Sequence, residues 1–185
     1  HERRHGYVHA HEFFGGYWCG AYGGGHGVTG EKKGDRVMTP AWVAADMVAY
    51  FKPSGRVLEP FKGAGIFLSY LPSASWREID EGRDFFDWRT PVDWIVTNPP
   101  YSKTRPCFRH AATIAREIVF LVPLRNVFSG YGFVREIRAF GGIRAIRLYG
   151  TGGNCGFPMG NAIGAMQFSA SYAGPTSWSD ATTNG

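Results

Sequence analysis

Cysteine is scarce in this chain: Cys19, Cys107 and Cys155 are odd in number and far apart. They do not suggest a disulfide scaffold, and the expectation is a reducing, cytoplasmic setting. Long hydrophobic runs are missing too; none reaches the roughly 18 apolar residues of a membrane span. The opening His1-Glu2-Arg3-Arg4 has nothing like the apolar run of a secretory signal. Nucleotide-binding signatures are incomplete. There is no Gly-Lys-Ser/Thr, which disfavours a P-loop nucleotidase, and Leu68 stands where a dinucleotide fingerprint beginning at Gly63 has its third glycine. Acidic residues almost vanish from one stretch. Between Lys103 and Arg147, nine basic residues stand against Glu117 and Glu136 alone, whereas residues 1–102 carry eleven basic and twelve acidic residues. A net charge of +5 concentrated in this way suits a polyanion such as nucleic acid.

What is present fits one globular domain of 185 residues with a substantial core. Residues 1–36 stand apart by composition, holding His1, His5, His9, His11 and His26, Cys19 and many glycines. This segment is too glycine-rich for a regular helix, and it reads as an irregular lid, a substrate-contact lobe or a poorly ordered tail. It lacks a Cys-x-x-Cys pair or a clean four-ligand pattern, so no metal site is assigned.

From Thr39 the pattern becomes regular. Thr39 is placed to cap and Pro40 to open a helix running to Phe51 before Pro53-Ser54-Gly55. Strands are expected at Val57-Leu58, Ser75–Ile79, Val92–Thr97, Ile118–Val122, Ile143–Tyr149 and Ala162–Ser171. Helical runs are expected at Ile66–Leu71, Arg105–Ala115 and Gly132–Phe140. Alternation of this kind predicts an α/β domain over residues 37–172, with a mainly parallel central sheet flanked by helices. Residues 173–185 read as an irregular tail.

Chemistry concentrates at Asn98-Pro99-Pro100-Tyr101, directly after the apolar run Trp94-Ile95-Val96. Two adjacent prolines cannot donate backbone hydrogen bonds or continue a helix or sheet. They hold an amide and an aromatic ring on a stiff turn at a strand end, a suitable grip for a flat, amino-bearing group. In sheets of this type ligands bind beyond the carboxyl ends of the strands. Glu59-Pro60-Phe61-Lys62-Gly63-Ala64-Gly65 lies at such an end, where the glycines admit close backbone approach. A carboxylate beside a glycine turn favours a ligand carrying positive charge over a pyrophosphate.

Together these segments resemble the amino-group DNA methyltransferases that use S-adenosylmethionine, particularly the adenine-N6 type, over about residues 37–170. Glu59-Pro60-x-x-Gly63-x-Gly65-x-Phe67 resembles the family's cofactor motif, Asn98-Pro99-Pro100-Tyr101 its catalytic motif, and Thr39-Pro40 the segment holding the cofactor's methionine end. The resemblance implies a Rossmann-like fold. It also implies that Glu78 or Asp80 meets the cofactor ribose, and that Asp84 binds the adenine amino group with Phe85 beside its ring. The family places a helix between these two acidic positions, yet only four residues lie between Asp80 and Phe85. Either that helix is lost, or Trp76–Asp80 belongs to the next strand.

The implied reaction is methyl transfer to the exocyclic N6 amine of adenine in DNA. The Asn98 side-chain oxygen and the Pro99 carbonyl would each accept an amino N–H, so that positioning and electrostatics carry the catalysis. Tyr101 would stack on a base flipped out of the duplex. Cys107 reads as an ordinary residue near a helix start, not as a nucleophile. Ser102, Lys103 and Arg105 are placed for target-strand phosphates, and Arg125, Asn126 and Tyr131 for further substrate contact. Phe157 is either a second stacking surface or an aromatic anchoring Pro158. Only about 32 residues separate Gly65 from Asn98, which leaves no room there for a large target-recognition region. That leaves weak or short sequence specificity, a protein partner or self-association that supplies recognition, or a different substrate. RNA adenine or protein glutamine-amide methylation, and a non-catalytic nucleic-acid-binding role, remain as alternatives.

Overall fold

Parallel strands need crossover connections that lay helices on the sheet, and the alternating apolar segments of this chain provide them. The computed structural model describes residues 37–158 and 160–181. The histidine- and glycine-rich residues 1–36, with the lid, lobe and metal expectations attached to them, lie outside the described residues.

Seven strands form one sheet: β1 (Val57–Glu59), β2 (Ser75–Trp76), β3 (Val92–Thr97), β4 (Ala115–Pro123), β5 (Gly141–Thr151), β6 (Ala162–Ala170) and β7 (Ser177–Asp180). Their order is β2-β1-β3-β4-β6-β5-β7. The first four in that row are parallel, β6 runs antiparallel between β4 and β5, and β7 is parallel to β5. The expected mainly parallel α/β sheet is the observed one. Among the described residues no helix is long and apolar enough to cross a membrane.

Helices cover both faces. Helix α1 (Ala41–Phe51) buries Val43, Ala44, Met47 and Phe51 on one side of the sheet. It ends at Lys52, whose left-handed backbone (φ 49°) lets its N–H reach the Val48 carbonyl. On the other side, α2 (Thr104–Ile114) buries Cys107, Phe108, Ala111 and Ile114. There α3 (Leu124–Phe128) adds Val127, and α4 (Tyr131–Phe140) adds Phe133 and Ile137. Strand β4 shows the division: Val119 and Leu121 point to the α1 side, Ile118, Phe120 and Val122 to the α2–α4 side. A short helix α5 (Gly152–Cys155) joins β5 to the loop before β6.

Four local expectations are corrected. Thr39 does not cap α1; Pro40 occupies the cap position, without a side-chain bond. The run Ile66–Leu71 forms one 3-10 turn, Phe67–Ser69, because the glycine loop before it leaves little length to nucleate a helix. Strand β2 stops at Trp76, and the chain turns tightly through a Glu78–Arg83 bridge around the 3-10 turn Ile79–Glu81. The helix that the resemblance would place there is lost. Finally, the tail is not wholly irregular. Residues 177–180 form β7, pairing Ala145 with Ser177 through Leu148 with Asp180 and satisfying the outer edge of β5.

Arg147 secures that edge. Its guanidinium makes two bonds to Asp46 of α1, at 2.8 and 3.0 Å, and a third to the Asp180 carbonyl at 2.8 Å. Tyr149 donates to the same carboxylate at 2.8 Å. This arginine of the basic stretch therefore serves the fold. Phe168 marks the centre of the opposite core: fully buried, with ring centroids 5.1 Å from Phe108 and 6.1 Å from Phe120. Phe168→Ala is expected to cost about 3–5 kcal/mol in urea unfolding, whereas Trp178→Ala on exposed β7 should stay within about 0.5 kcal/mol.

Candidate functional site

The parallel strands β1 and β3 end side by side, and each delivers one polar side chain. Glu59 closes β1, Thr97 closes β3, and Asn98 follows at once. Glu59 is completely buried. Its Oε1 accepts the Thr97 hydroxyl and the Phe61 N–H, the latter at 2.9 Å. Its Oε2 is also buried but has no hydrogen-bond partner among the described residues.

Asn98 shows the same imbalance. Its Nδ2 donates to the Val37 carbonyl at 2.8 Å and to the Thr39 hydroxyl at 3.1 Å. A carbonyl oxygen only accepts, so the amide nitrogen must face Val37. Oδ1 consequently faces the other way, buried and without a partner among the described residues. An unmade bond of this kind costs about 1–3 kcal/mol. Two such acceptors at adjacent strand ends are what a site for a donor-bearing ligand requires. The Thr39 hydroxyl, expected at a helix cap, instead orients this amide.

Beside Glu59 the loop turns through Gly63 (φ +50°) and Gly65 (φ +82°), a backbone region that favours glycine. A Cβ on Gly63 would meet nothing within 4 Å, and one on Gly65 would touch only Lys62 and Leu68 at 3.9–4.0 Å. The loop surface is open. Glu78 braces it from below: its Oε2 accepts the Gly63 N–H at 2.7 Å and its Oε1 the Asp80 N–H at 3.4 Å. Asp80 is exposed. Pro60 is buried behind the loop, and Phe67 lies in the α1-side core. Asp84 accepts the Phe86 N–H at 2.9 Å and so starts the 3-10 turn Phe85–Asp87. Phe85 is buried, edge-on to Phe61 at 5.2 Å and to His110 at 4.6 Å. The His110 Nε2 bonds the Trp88 carbonyl at 3.0 Å, and burial lowers its pKa.

After Pro99 (buried) and Pro100, the 3-10 turn Tyr101–Lys103 leads into α2. The Tyr101 carbonyl accepts the Thr104 hydroxyl at 2.9 Å and the Asn126 amide at 2.9 Å. Asn126, expected at the substrate, thus staples α3 to the end of the motif. Arg105 also differs from its expected place. With Arg109 it grips Glu136 of α4 through bonds of 2.6–3.1 Å. Phe157 is buried in the α1-side core, and Gly156 before it packs on Pro40. Ser102, Arg125 and Tyr131 are exposed, and Lys103 is half-buried. No group of three or more possible metal ligands occurs among the described residues.

Sequence reasoning missed Val37, Phe61 and His110. Val37 acts through its carbonyl, which every residue possesses, so no side-chain signal marks it. Phe61 and His110 meet Phe85 only once the turn after β2 and α2 have packed together.

No protein-family model and no curated protein matches the chain. Solved structures do. A class I S-adenosylmethionine-dependent methyltransferase fold from Listeria monocytogenes matches 84% of this chain and 68% of its own length, at TM-score 0.59 and 13% identity. A type I restriction-modification methyltransferase subunit from Streptococcus thermophilus matches 79% of this chain at TM-score 0.59 and 13% identity. The M protein of the type I restriction enzyme EcoKI matches 75% at TM-score 0.53 and 12% identity. The chain spans about half the length of these last two, 47% and 45%. The fold is therefore the Rossmann-like fold of class I methyltransferases.

Burial, partly offset by the Thr97 and Phe61 bonds and reinforced by Glu78, lifts the Glu59 carboxyl from 4.5 to about 8. The folded protein thus keeps a proton that the unfolded chain loses above 4.5. This contribution to stability is complete below that pH, declines as pH rises to about 8, and is gone above it. Urea unfolding at pH 5 and pH 9 should show the wild type losing on the order of 4 kcal/mol more than Glu59→Gln, which cannot ionise. Equal losses would mean that Glu59 is not held neutral.

Proposed function

We propose that this protein transfers a methyl group from S-adenosylmethionine to the exocyclic N6 amine of adenine in DNA. The observation that carries this reading is the buried, partnerless Oδ1 of Asn98, held at the end of β3 by the bonds from its own amide nitrogen. The residues present fit the proposed cofactor. The open backbone of Gly63 and Gly65 admits a bulky ligand, and a cationic one would favour the ionised form of Glu59, whose Oε2 then becomes an acceptor. Thr39 and Pro40 are assigned to its methionine end, Pro60 and Phe67 to the loop motif around Gly63 and Gly65, and Glu78, Asp80, Asp84 and Phe85 to the nucleoside side. When bound, S-adenosylmethionine supplies a methyl group on a positively charged sulfur.

The chain's own residues then have defined tasks. An aromatic amine is a poor nucleophile because its lone pair is shared with the ring. Asn98 Oδ1 accepts one amino N–H and the Pro99 carbonyl a second, which draws the nitrogen out of conjugation and aims its lone pair. Pro100 stiffens the turn, and the Tyr101 ring covers the flat base. Nothing here needs a covalent nucleophile; Cys107 is fully buried. A flipped-out adenine is the substrate form this arrangement requires. The similar structures include methyltransferase subunits of type I restriction systems, which supports a separate protein, or a second copy of this one, as the reader of DNA sequence.

The test is transfer of labelled methyl from S-adenosylmethionine to duplex DNA, single-stranded DNA, RNA and protein, with identification of the product. Labelled N6-methyladenine in DNA is expected, reduced about 10²-fold or more in Asn98→Ala while cofactor affinity persists. Undiminished transfer by that variant would remove Asn98 from the reaction, and labelling of RNA or protein alone would overturn the DNA assignment.

A further inference from the structure

We infer that one exposed stripe of α4 is a track for an unpaired polynucleotide strand, with a base stacked on Tyr131 and phosphates on Arg135 and Arg138. The inference rests on the nucleic-acid reading above and names the form of nucleic acid and the residues that hold it. Tyr131, Arg135 and Arg138 stand at i, i+4 and i+7, so they share one side of the helix over about 10 Å. All three are exposed, while Phe133 and Ile137 on the opposite side are buried in the core.

Tyr131 is 87% exposed and Phe128, just across Ser129-Gly130, is 46% exposed. Two large rings presented to water in so small an area have no role in the core. The charges around them are equally unspent. Among the described residues Arg125, Arg135 and Arg138 have no ion-pair partner within 4 Å. Arg105 and Arg109 have taken the one carboxylate of α4, Glu136, holding it ionised with a pKa of about 2. That pairing leaves the stripe without a competing negative charge.

Position links the stripe to the catalytic turn. Helix α3 follows Pro123 at the end of β4, next to β3, and Asn126 bonds α3 to the Tyr101 carbonyl. A strand entering the Asn98–Tyr101 turn would therefore meet α3 and α4 as it leaves. Arginines alone would serve any duplex phosphate. The exposed ring is the discriminating feature, because stacking needs an unpaired base face.

The experiment measures fluorescence anisotropy of the full chain with three labelled probes: a 12-nucleotide single strand, an abasic strand of equal length, and the duplex. Each is titrated at several salt concentrations. Tyr131→Ala should weaken the single strand about tenfold or more and leave the abasic strand unchanged. The Arg135→Gln/Arg138→Gln double variant should lower the log–log salt slope on the single strand by about 1.4. Circular dichroism of each variant checks that α4 has folded. Wild-type affinity and slope in both variants, or equal weakening of the abasic strand by Tyr131→Ala, would overturn the track while leaving nucleic-acid binding intact. A wild-type protein that binds none of the probes would overturn both the track and the nucleic-acid reading.

Discussion

A carbonyl oxygen can accept hydrogen bonds but never donate them, and that restriction at Val37 orients the whole candidate site. Because the Val37 carbonyl and the Thr39 hydroxyl occupy the Asn98 amide nitrogen, the amide oxygen must turn away and remain unbonded. The arrangement depends on α1, which begins two residues beyond Thr39 and packs Val43, Ala44 and Met47 onto the sheet. It depends equally on β3, whose parallel pairing with β1 and β4 brings Asn98 to the same edge as Glu59. Each unsatisfied acceptor weakens the ligand-free fold, and the cores on both sheet faces offset that loss.

Charge is divided between the fold and the surface. Arg147 is spent on Asp46 and the β7 edge, while Arg105 and Arg109 are spent on Glu136. Among the described residues Arg125 of α3 and Arg135 and Arg138 of α4 are among the basic side chains that form no ion pair. Glu59 follows the opposite logic. Burial without a counter-ion favours its neutral form, so a cationic ligand would supply the charge that the protein interior withholds.

The most legible parts of the sequence were those governed by local rules. Two prolines after an apolar run define a strand end wherever they occur, and β3 stops at Thr97 as that rule requires. Glycines with an acidic neighbour after a short apolar strand likewise marked the loop at Gly63 and Gly65. The roles of Asn126, Arg105 and Phe157 were not legible. Their residue types suit substrate contact, but Asn126 and Arg105 find their partners Tyr101 and Glu136 25 and 31 residues away, and Phe157 enters a core that also draws on α1, β1 and β3. Strand β7 was hidden for a related reason: its four residues carry no apolar alternation, and pairing with β5 alone makes it a strand.

By itself, then, the sequence determined the alternation of strands and helices, the two turns of the candidate site, and the excess of arginine. Backbone stereochemistry and side-chain periodicity act over a few residues, and they leave their mark in the order of amino acids. Tertiary structure alone decided which hydrogen-bonding atoms were consumed and which were left over. Among the described residues, the free oxygens of Asn98 and Glu59 and the unpaired arginines of α4 are remainders, defined only after every distant neighbour has taken its partner.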